Sequence, residues 1–193
     1  IVRYVGNGGS NQSIGHGLSN APELVIFKRI DSSVNWFVFA KIGSVYQRFE
    51  GLNNGNAAAS VTYFSASSTT ISWTGTTSDF NGDGNKYIMY CFKATSGHSA
   101  IGYYDGNSSS QTIYTTDDGT SSGNNPFAPS FLLVKETNNS SYSSWRITDR
   151  VRGQNNLLFP DVNNSQDTGG AYARLNSNGF TQLGLDSNVS GQR

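Results

Sequence analysis

The sequence predicts an all-β chain of two tandem, related antiparallel β-sandwich units of jelly-roll or lectin-like type, the second lacking its last strand. Composition is the first observation behind this. Charged residues make up 13% of the chain, against roughly 25% in an ordinary soluble domain. Aromatics reach 12% and glycines number 22. β-branched and aromatic side chains suit a pleated, half-buried surface, and Gly, Asn and Ser suit the turns between strands. Spacing is the second observation. Short apolar runs alternate with polar turn clusters, and no segment keeps a helical apolar period over three turns with capping signals. The third is internal repetition.

Taken in order, strands are expected at residues 23–28, 36–40, 60–64, 69–73 and 86–92, then at 130–135, 145–148 and 155–159. The run Trp36-Phe37-Val38-Phe39-Ala40 is apolar at alternate and intervening positions alike, which marks a strand buried between layers. Tyr4-Val5-Gly6-Asn7 returns as Tyr104-Asp105-Gly106-Asn107. Ala21-Pro22 followed by Leu24-Val25-Ile26-Phe27-Lys28 returns as Ala128-Pro129 followed by Phe131-Leu132-Leu133-Val134-Lys135. Asn35-Trp36 returns as Ser144-Trp145, and Gly84-Asn85-Lys86 as Gly191-Gln192-Arg193. Four matches in one order, on features of different chemistry, read as a duplication. Its offset grows from roughly 100 to roughly 107–109 residues, which places a short insertion in the 117–125 loop. The units are expected at 1–97 and 98–193, packed as two domains or as one. After Lys86 the first unit runs into a strand; after Arg193 the second has none. The expectation is a piece of a longer repeat chain, with the missing strand supplied by the rest of that chain or by a neighbour.

Charge and cysteine content exclude several classes. Formal net charge is zero, whereas a nucleic-acid partner calls for surplus Lys and Arg on one face. No stretch approaches the roughly 18 apolar residues of a membrane span. The single Cys91 forms no internal disulfide, and its run Tyr87-Ile88-Met89-Tyr90-Cys91-Phe92 predicts a buried, inert thiol.

The run Tyr4-Val5-Gly6-Asn7-Gly8, then Ile14-Gly15-His16-Gly17-Leu18, then Ala21-Pro22-Glu23-Leu24-Val25-Ile26-Phe27-Lys28 with Asn35-Trp36, resembles a family of repeated modules in marine bacteriophage structural proteins. The stretch from Gly84 through Phe92, with Ser96-Gly97-His98-Ser99-Ala100-Ile101-Gly102-Tyr103-Tyr104, is similar to the junction between two halves of that module. The resemblance implies a location in the virion and an architectural or attachment role, and no reaction. The second half departs from the pattern: Gly15-His16-Gly17-Leu18 has no clear counterpart before Pro126.

Candidate sites were weighed against structural roles. His16 and His98, the two histidines, both neighbour Gly, and no Gly-x-Ser-x-Gly elbow accompanies them, so a hydrogen-bonding turn His is preferred to a catalytic one. Asp79-x-Asn81-x-Asp83-Gly84 matches the front of a calcium loop, with oxygen ligands at alternate positions. Its twelfth position is Tyr90 rather than a bidentate Glu, and a polar loop is the competing role. Asp117-Asp118-Gly119 reads as a turn. The glutamates Glu23, Glu50 and Glu136 do not form the paired carboxylates of a glycosidase, and Glu23 and Glu136 sit at equivalent strand starts. Trp36 and Trp145 are expected as core anchors. Among Trp73, Tyr103, Tyr104, Tyr114 and Tyr142, the loop-borne Tyr114 and Tyr142 are the candidates for stacking on sugar rings. The functional expectation is a non-enzymatic spacing module of a phage tail fibre, tail-associated or capsid-surface fibre. Its expected partners are other virion proteins and copies of itself, with no nucleic acid, membrane insertion or required cofactor. The alternative is a carbohydrate-binding receptor module recognising host surface glycan.

Overall fold

The computed structural model describes residues 1–49, 51–52, 59–106, 109–116, 125–137, 144–170 and 172–183. The chain is nearly all β, in antiparallel sheets. It divides into two compact units, Ile1–Leu52 with Ala58–Lys93 and Asn53–Ala57 with Ala94–Arg193.

The first unit holds β1 (Val2–Val5), β2 (Gln12–Gly15), β3 (Leu24–Arg29), β4 (Phe37–Ile42), β5 (Val45–Phe49), β6 (Ala59–Ser60), β7 (Phe64–Ala66), β8 (Thr70–Trp73), the helical turn α1 (Ser78–Asn81) and β9 (Lys86–Phe92). One sheet runs β1-β9-β3-β4-β5-β6 and the other β2-β8-β7. Their facing sides share one core: Val25, Phe27, Phe39, Tyr87 and Met89 from the larger sheet, Phe64, Ile71 and Trp73 from the smaller, and Phe80 from α1. Period-2 alternation puts Val25 and Phe27 of β3 on that side, beside Tyr87 and Met89 of β9. The rings interlock edge-to-face, as their quadrupoles favour: Phe27 on Phe39 at 5.9 Å, Trp73 on Phe80 at 5.5 Å. β4 turns into β5 through Gly43-Ser44, where Gly43 takes φ 61°, the conformation a two-residue hairpin demands.

The second unit holds β10 (Gln111–Tyr114), β11 (Phe131–Val134), β12 (Arg146–Asp149), β13 (Ala173–Leu175) and β14 (Gly179–Gln182). β10-β14-β13 form one sheet and β11-β12 another. Ala173, Leu175 and Phe180 make the core, with Tyr104, Ile113 and Leu132 against it.

Three pairings of the second unit parallel pairings of the first. Ile14 faces Ile71 in β2–β8, and Ile113 faces Phe180 in β10–β14. Phe64 faces Trp73, and Ala173 faces Gln182. The flanking hydrogen bonds also match. Thr74 N–H donates to Tyr63 O at 2.8 Å, and Leu183 N–H to Tyr172 O at 3.1 Å. His16 N–H donates to Thr69 O at 3.1 Å, and Thr115 N–H to Asn178 O at 3.2 Å. Lys41 N–H donates to Glu23 O at 2.7 Å, and Arg150 N–H to Ser130 O at 3.0 Å.

Three expectations are corrected. The run 60–64 is not one strand: Ser60 pairs with Gln47 on the larger sheet, whereas Phe64 pairs with Trp73 on the smaller, so the intervening residues carry the chain from sheet to sheet. The run 155–159 makes only two isolated bridges, Leu157 to Asp167 and Leu158 to Ile147. Trp36 is half-buried rather than a core anchor. It precedes Phe37 in the alternation and so falls on the outer face of the sheet, 6.3 Å from Tyr90 and under the Lys28 ammonium. Trp145, by contrast, is buried.

Candidate functional site

The calcium-like segment is a structural junction. Thr77 caps α1, its hydroxyl accepting from Asp79 N–H at 3.2 Å, and the segment winds into a helical turn that buries Phe80 and Asn81. The Asn81 side chain, 2% exposed, then ties down the turn after β1. Its Nδ2 donates to Asn7 Oδ1 at 3.1 Å and to Gly9 O at 3.0 Å, while its Oδ1 accepts from Asn7 N–H at 3.2 Å. Backbone bonds flank it: Gly8 N–H to Asn81 O at 3.0 Å, Gly6 N–H to Asn85 O at 2.8 Å, Gly84 N–H to Gly6 O at 2.9 Å. Asp79 instead reaches Arg48 at 3.5 Å, and Asp83 is exposed. Asp79, Asn81 and Asp83 therefore do not converge on one point, because capping and burial of Phe80 turn the segment helical. Among the described residues no group of three or more His, Cys, Asp or Glu is placed to hold a metal ion.

Two tyrosines that the sequence reading passed over complete the junction. Tyr87 Oη donates to Ser78 O at 2.9 Å and accepts from Gly82 N–H at 2.9 Å. Tyr4 Oη donates to Phe80 O, and its ring stacks on Tyr87 at 5.2 Å. Burial, with Tyr87 beside it, pushes the Tyr4 phenol far above its ordinary value. The signal for Tyr4 lay in the repeated Tyr-x-Gly-Asn motif, where Tyr is the polar aromatic that needs a partner when buried.

His16 is buried with both ring nitrogens engaged. Leu18 N–H donates to Nδ1 at 3.1 Å, which makes Nε2 the protonated nitrogen facing Ser67 O at 3.2 Å. This is the hydrogen-bonding turn His expected. Thr115 holds the same place after β10: its Oγ1 accepts from Phe127 N–H at 3.3 Å and donates to Phe127 O. His98 is exposed, in a turn closed by His98 N–H on Thr95 O. Glu23 pairs with Lys93 at 2.6 Å, and Glu136 is buried. Trp73 belongs to the core and offers no face to a sugar. Tyr104 packs on Phe180 at 5.6 Å, its phenol pushed up by burial. Tyr103 and Tyr114 are exposed, Tyr114 at the end of β10 opposite Gly179. Tyr142, Glu50 and Asp117-Asp118-Gly119 lie outside the described residues. No helix among the described residues is long and apolar enough to cross a membrane.

One family pattern, a domain of unknown function, matches the chain over residues 1–193. The chain belongs to the DUF7483 family. No curated protein and no solved structure matches it.

In this DUF7483 chain the Cys91 thiol, half-buried rather than fully buried as expected, and the buried Tyr46 phenol both have raised values. Burial pushes the Cys91 thiol up to about 11. Burial, then the nearby Glu23, pushes the Tyr46 phenol up to about 12, its hydroxyl donating to Pro22 O. A folded-state value above the unfolded one means the stabilisation is complete below the unfolded value and is lost as pH rises through the folded value. The urea midpoint is therefore expected to hold steady from pH 6 to 8 and to fall above about pH 9, where unfolded Cys begins to ionise. Thiol reagents at pH 8 are expected to label native Cys91 on the order of tenfold or more slower than the urea-unfolded chain.

Proposed function

We propose that this chain is a non-enzymatic structural module made of two copies of one β unit, carried in a bacteriophage virion protein of a tail fibre, tail-associated part or capsid-surface fibre. The observation that carries the proposal is where the polar side chains go. His16, Asn81, Tyr4 and Tyr87 spend their hydrogen bonds on holding strands and turns together. The coincident registers and flanking bonds of the two units support the duplication. Low charge and abundant Ser, Asn and Thr leave a hydrated surface with little pull on ions, which suits a spacer exposed to solvent. The module is expected to copurify with intact particles and to be decorated on them by an antibody against residues 1–193. Particles that carry none of it, while the protein accumulates free in the infected cell, would sink the proposal.

A receptor role is the second reading, favoured by the exposed ring of Tyr114, 39% accessible. It predicts saturable binding of host polysaccharide that Tyr114→Ala weakens about tenfold or more with stability unchanged, the range of a lost aromatic–sugar stack. Equal binding by wild type and Tyr114→Ala removes the residue from that role.

A further inference from the structure

The apolar pattern of the inner face fails at one end of the first unit's larger sheet. Val25 and Phe27 of β3 point inward, so Arg29 takes the next inward position, beside Tyr87 in the register. On β5 Tyr46 points inward, and so does Arg48, opposite Phe39. A charge where a core face calls for an apolar side chain is a broken local rule, and such breaks gather at functional places. Arg48 has its reason: its guanidinium lies over the Phe37 ring at 5.0 Å and meets Asp79 at 3.5 Å. Arg29 is spent only in part. Its Nε donates to Asp31 Oδ1 at 2.6 Å, while Nη1 and Nη2 make no hydrogen bond among the described residues.

Beside Arg29 lies a cleft of about 400 Å³, open to solvent and within the size range of small-ligand sites. The β3–β4 loop lines it with Ser33 and Asn35, the start of α1 with Ser78 and Asp79, and Phe37 adds an apolar surface. The frame is built in advance. Asp31 Oδ2 accepts from Lys86 N–H at 2.9 Å, Ile30 N–H donates to Lys86 O at 2.8 Å, and the Lys28 ammonium donates to Val34 O. On the other side Ser78 O accepts from Tyr87 Oη at 2.9 Å. The lining groups themselves are uncommitted. Among the described residues the Ser33 and Ser78 hydroxyls and the Asn35 side-chain amide have no hydrogen-bond partner, and Asp79 uses Oδ2 alone.

We propose that this cleft binds a hexuronic acid unit of a polysaccharide, a pyranose ring with one carboxylate and several hydroxyls. The two Nη atoms of Arg29 form a planar fork that takes both carboxylate oxygens at once. Ring hydroxyls both donate and accept, and the cleft offers both kinds of partner. Asp79 Oδ1 accepts, and the Ser33 and Ser78 hydroxyls and the Asn35 amide do either. Phe37 meets the hydrocarbon face of the ring. An inorganic phosphate dianion would use the fork, but it leaves the acceptors idle and sets its second charge against Asp79. Because the frame is already held, little ordering cost attends binding. The inference stands on this cleft alone and needs neither the duplication nor Tyr114.

The probe is trigalacturonate, titrated into the full 193-residue chain and followed by amide chemical shifts. Saturable shifts are expected at 29–37 and 77–80, with none at 111–114. The fully methyl-esterified trisaccharide, which keeps the hydroxyls and loses the charge, is expected to bind about tenfold or more weaker. Arg29→Lys, which keeps the charge and loses the fork, is expected to weaken trigalacturonate binding by about the same factor. Asn35→Ala breaks no hydrogen bond among the described residues, so a several-fold loss of binding is expected with the melting temperature unchanged. Tyr114→Ala is expected to bind as wild type does, which separates this site from the receptor reading above. No shift at 29–37 and 77–80 up to about 10 mM sugar overturns the proposal. So does equal binding of acid and ester, so do shifts at 111–114 in place of the cleft, and so does inorganic phosphate binding the cleft more tightly than the sugar.

Discussion

Asn81→Asp is expected to destabilise the first unit by about 3 kcal/mol or more at pH 7, the cost of a buried charge and broken hydrogen bonds. The substitution keeps shape and volume and changes only the donor. Nδ2 becomes a carboxylate oxygen facing Asn7 Oδ1 and Gly9 O, two acceptors that now meet a third. The Asn7 N–H keeps its acceptor. Asn81→Ala loses all three bonds without adding a charge, and about 2 kcal/mol is expected because Asn7 is exposed and recovers water. Urea unfolding followed by tryptophan fluorescence measures both. An Asn81→Asp variant as stable as wild type would show that the junction contributes nothing. The order of the two variants also separates a structural amide from a metal ligand, since a cation site would gain from the added carboxylate.

Gly6→Ala carries the second large effect, about 3 kcal/mol, the upper range for overpacking a rigid site. An added Cβ falls well inside van der Waals contact distance of Gly82 O, 2.9 Å from Asn81 carbonyl carbon and 3.0 Å from the Tyr87 ring. Two of those three neighbours are backbone and hold hydrogen bonds of the same junction, so they have little room to yield. Gly82→Ala is the control. Its nearest neighbour is the Asn85 side-chain amide, which can swing away, although the Tyr87 hydroxyl lies at 3.2 Å. A loss of about 1 kcal/mol is expected there. Thermal unfolding of the pair, with Gly6→Ala the lower by several degrees, checks the ranking. Equal melting temperatures would show that the backbone at Gly6 relaxes freely.

Much of the fold was legible because burial writes itself into apolar runs. β3, β4, β8, β9, β11 and β12 each contain a cluster of Val, Ile, Leu or aromatics that a turn cluster bounds. β2, β10 and β14 were not legible. Gln12-Ser13-Ile14-Gly15 and Gln111-Thr112-Ile113-Tyr114 bury only part of one face and read as loop by composition. Gln182, in the seat of Trp73, has no apolar signature at all. Pairing with a neighbour decides such segments, and the neighbour lies far away in sequence, Gln12 opposite Trp73 and Gln111 opposite Gln182. The junction misled for a related reason. Asp, Asn and Gly at alternate positions mark a tight polar turn, and the same letters serve a cation or a backbone. Only the position of the Asn7–Gly9 turn, brought alongside by β1, shows which of the two Asn81 serves. His16 was read correctly because Gly on both sides left a turn as its simplest environment.

The order of β1, β9 and β3 in the larger sheet reaches beyond the finished structure to the moment of synthesis. Among the described residues β1 pairs with β9 alone. Val2 therefore has no partner until Met89 has been made. At ordinary rates of translation the N-terminal strand waits on the order of 5–20 s, while β3, β4 and β5 close locally as hairpins. A ribosome-bound nascent chain is expected to acquire protease resistance at residues 1–9 only once residue 92 has cleared the exit tunnel, which limited proteolysis of stalled chains of increasing length checks. The first unit is thus completed in one late step, when β9 slides between a waiting strand and a formed meander.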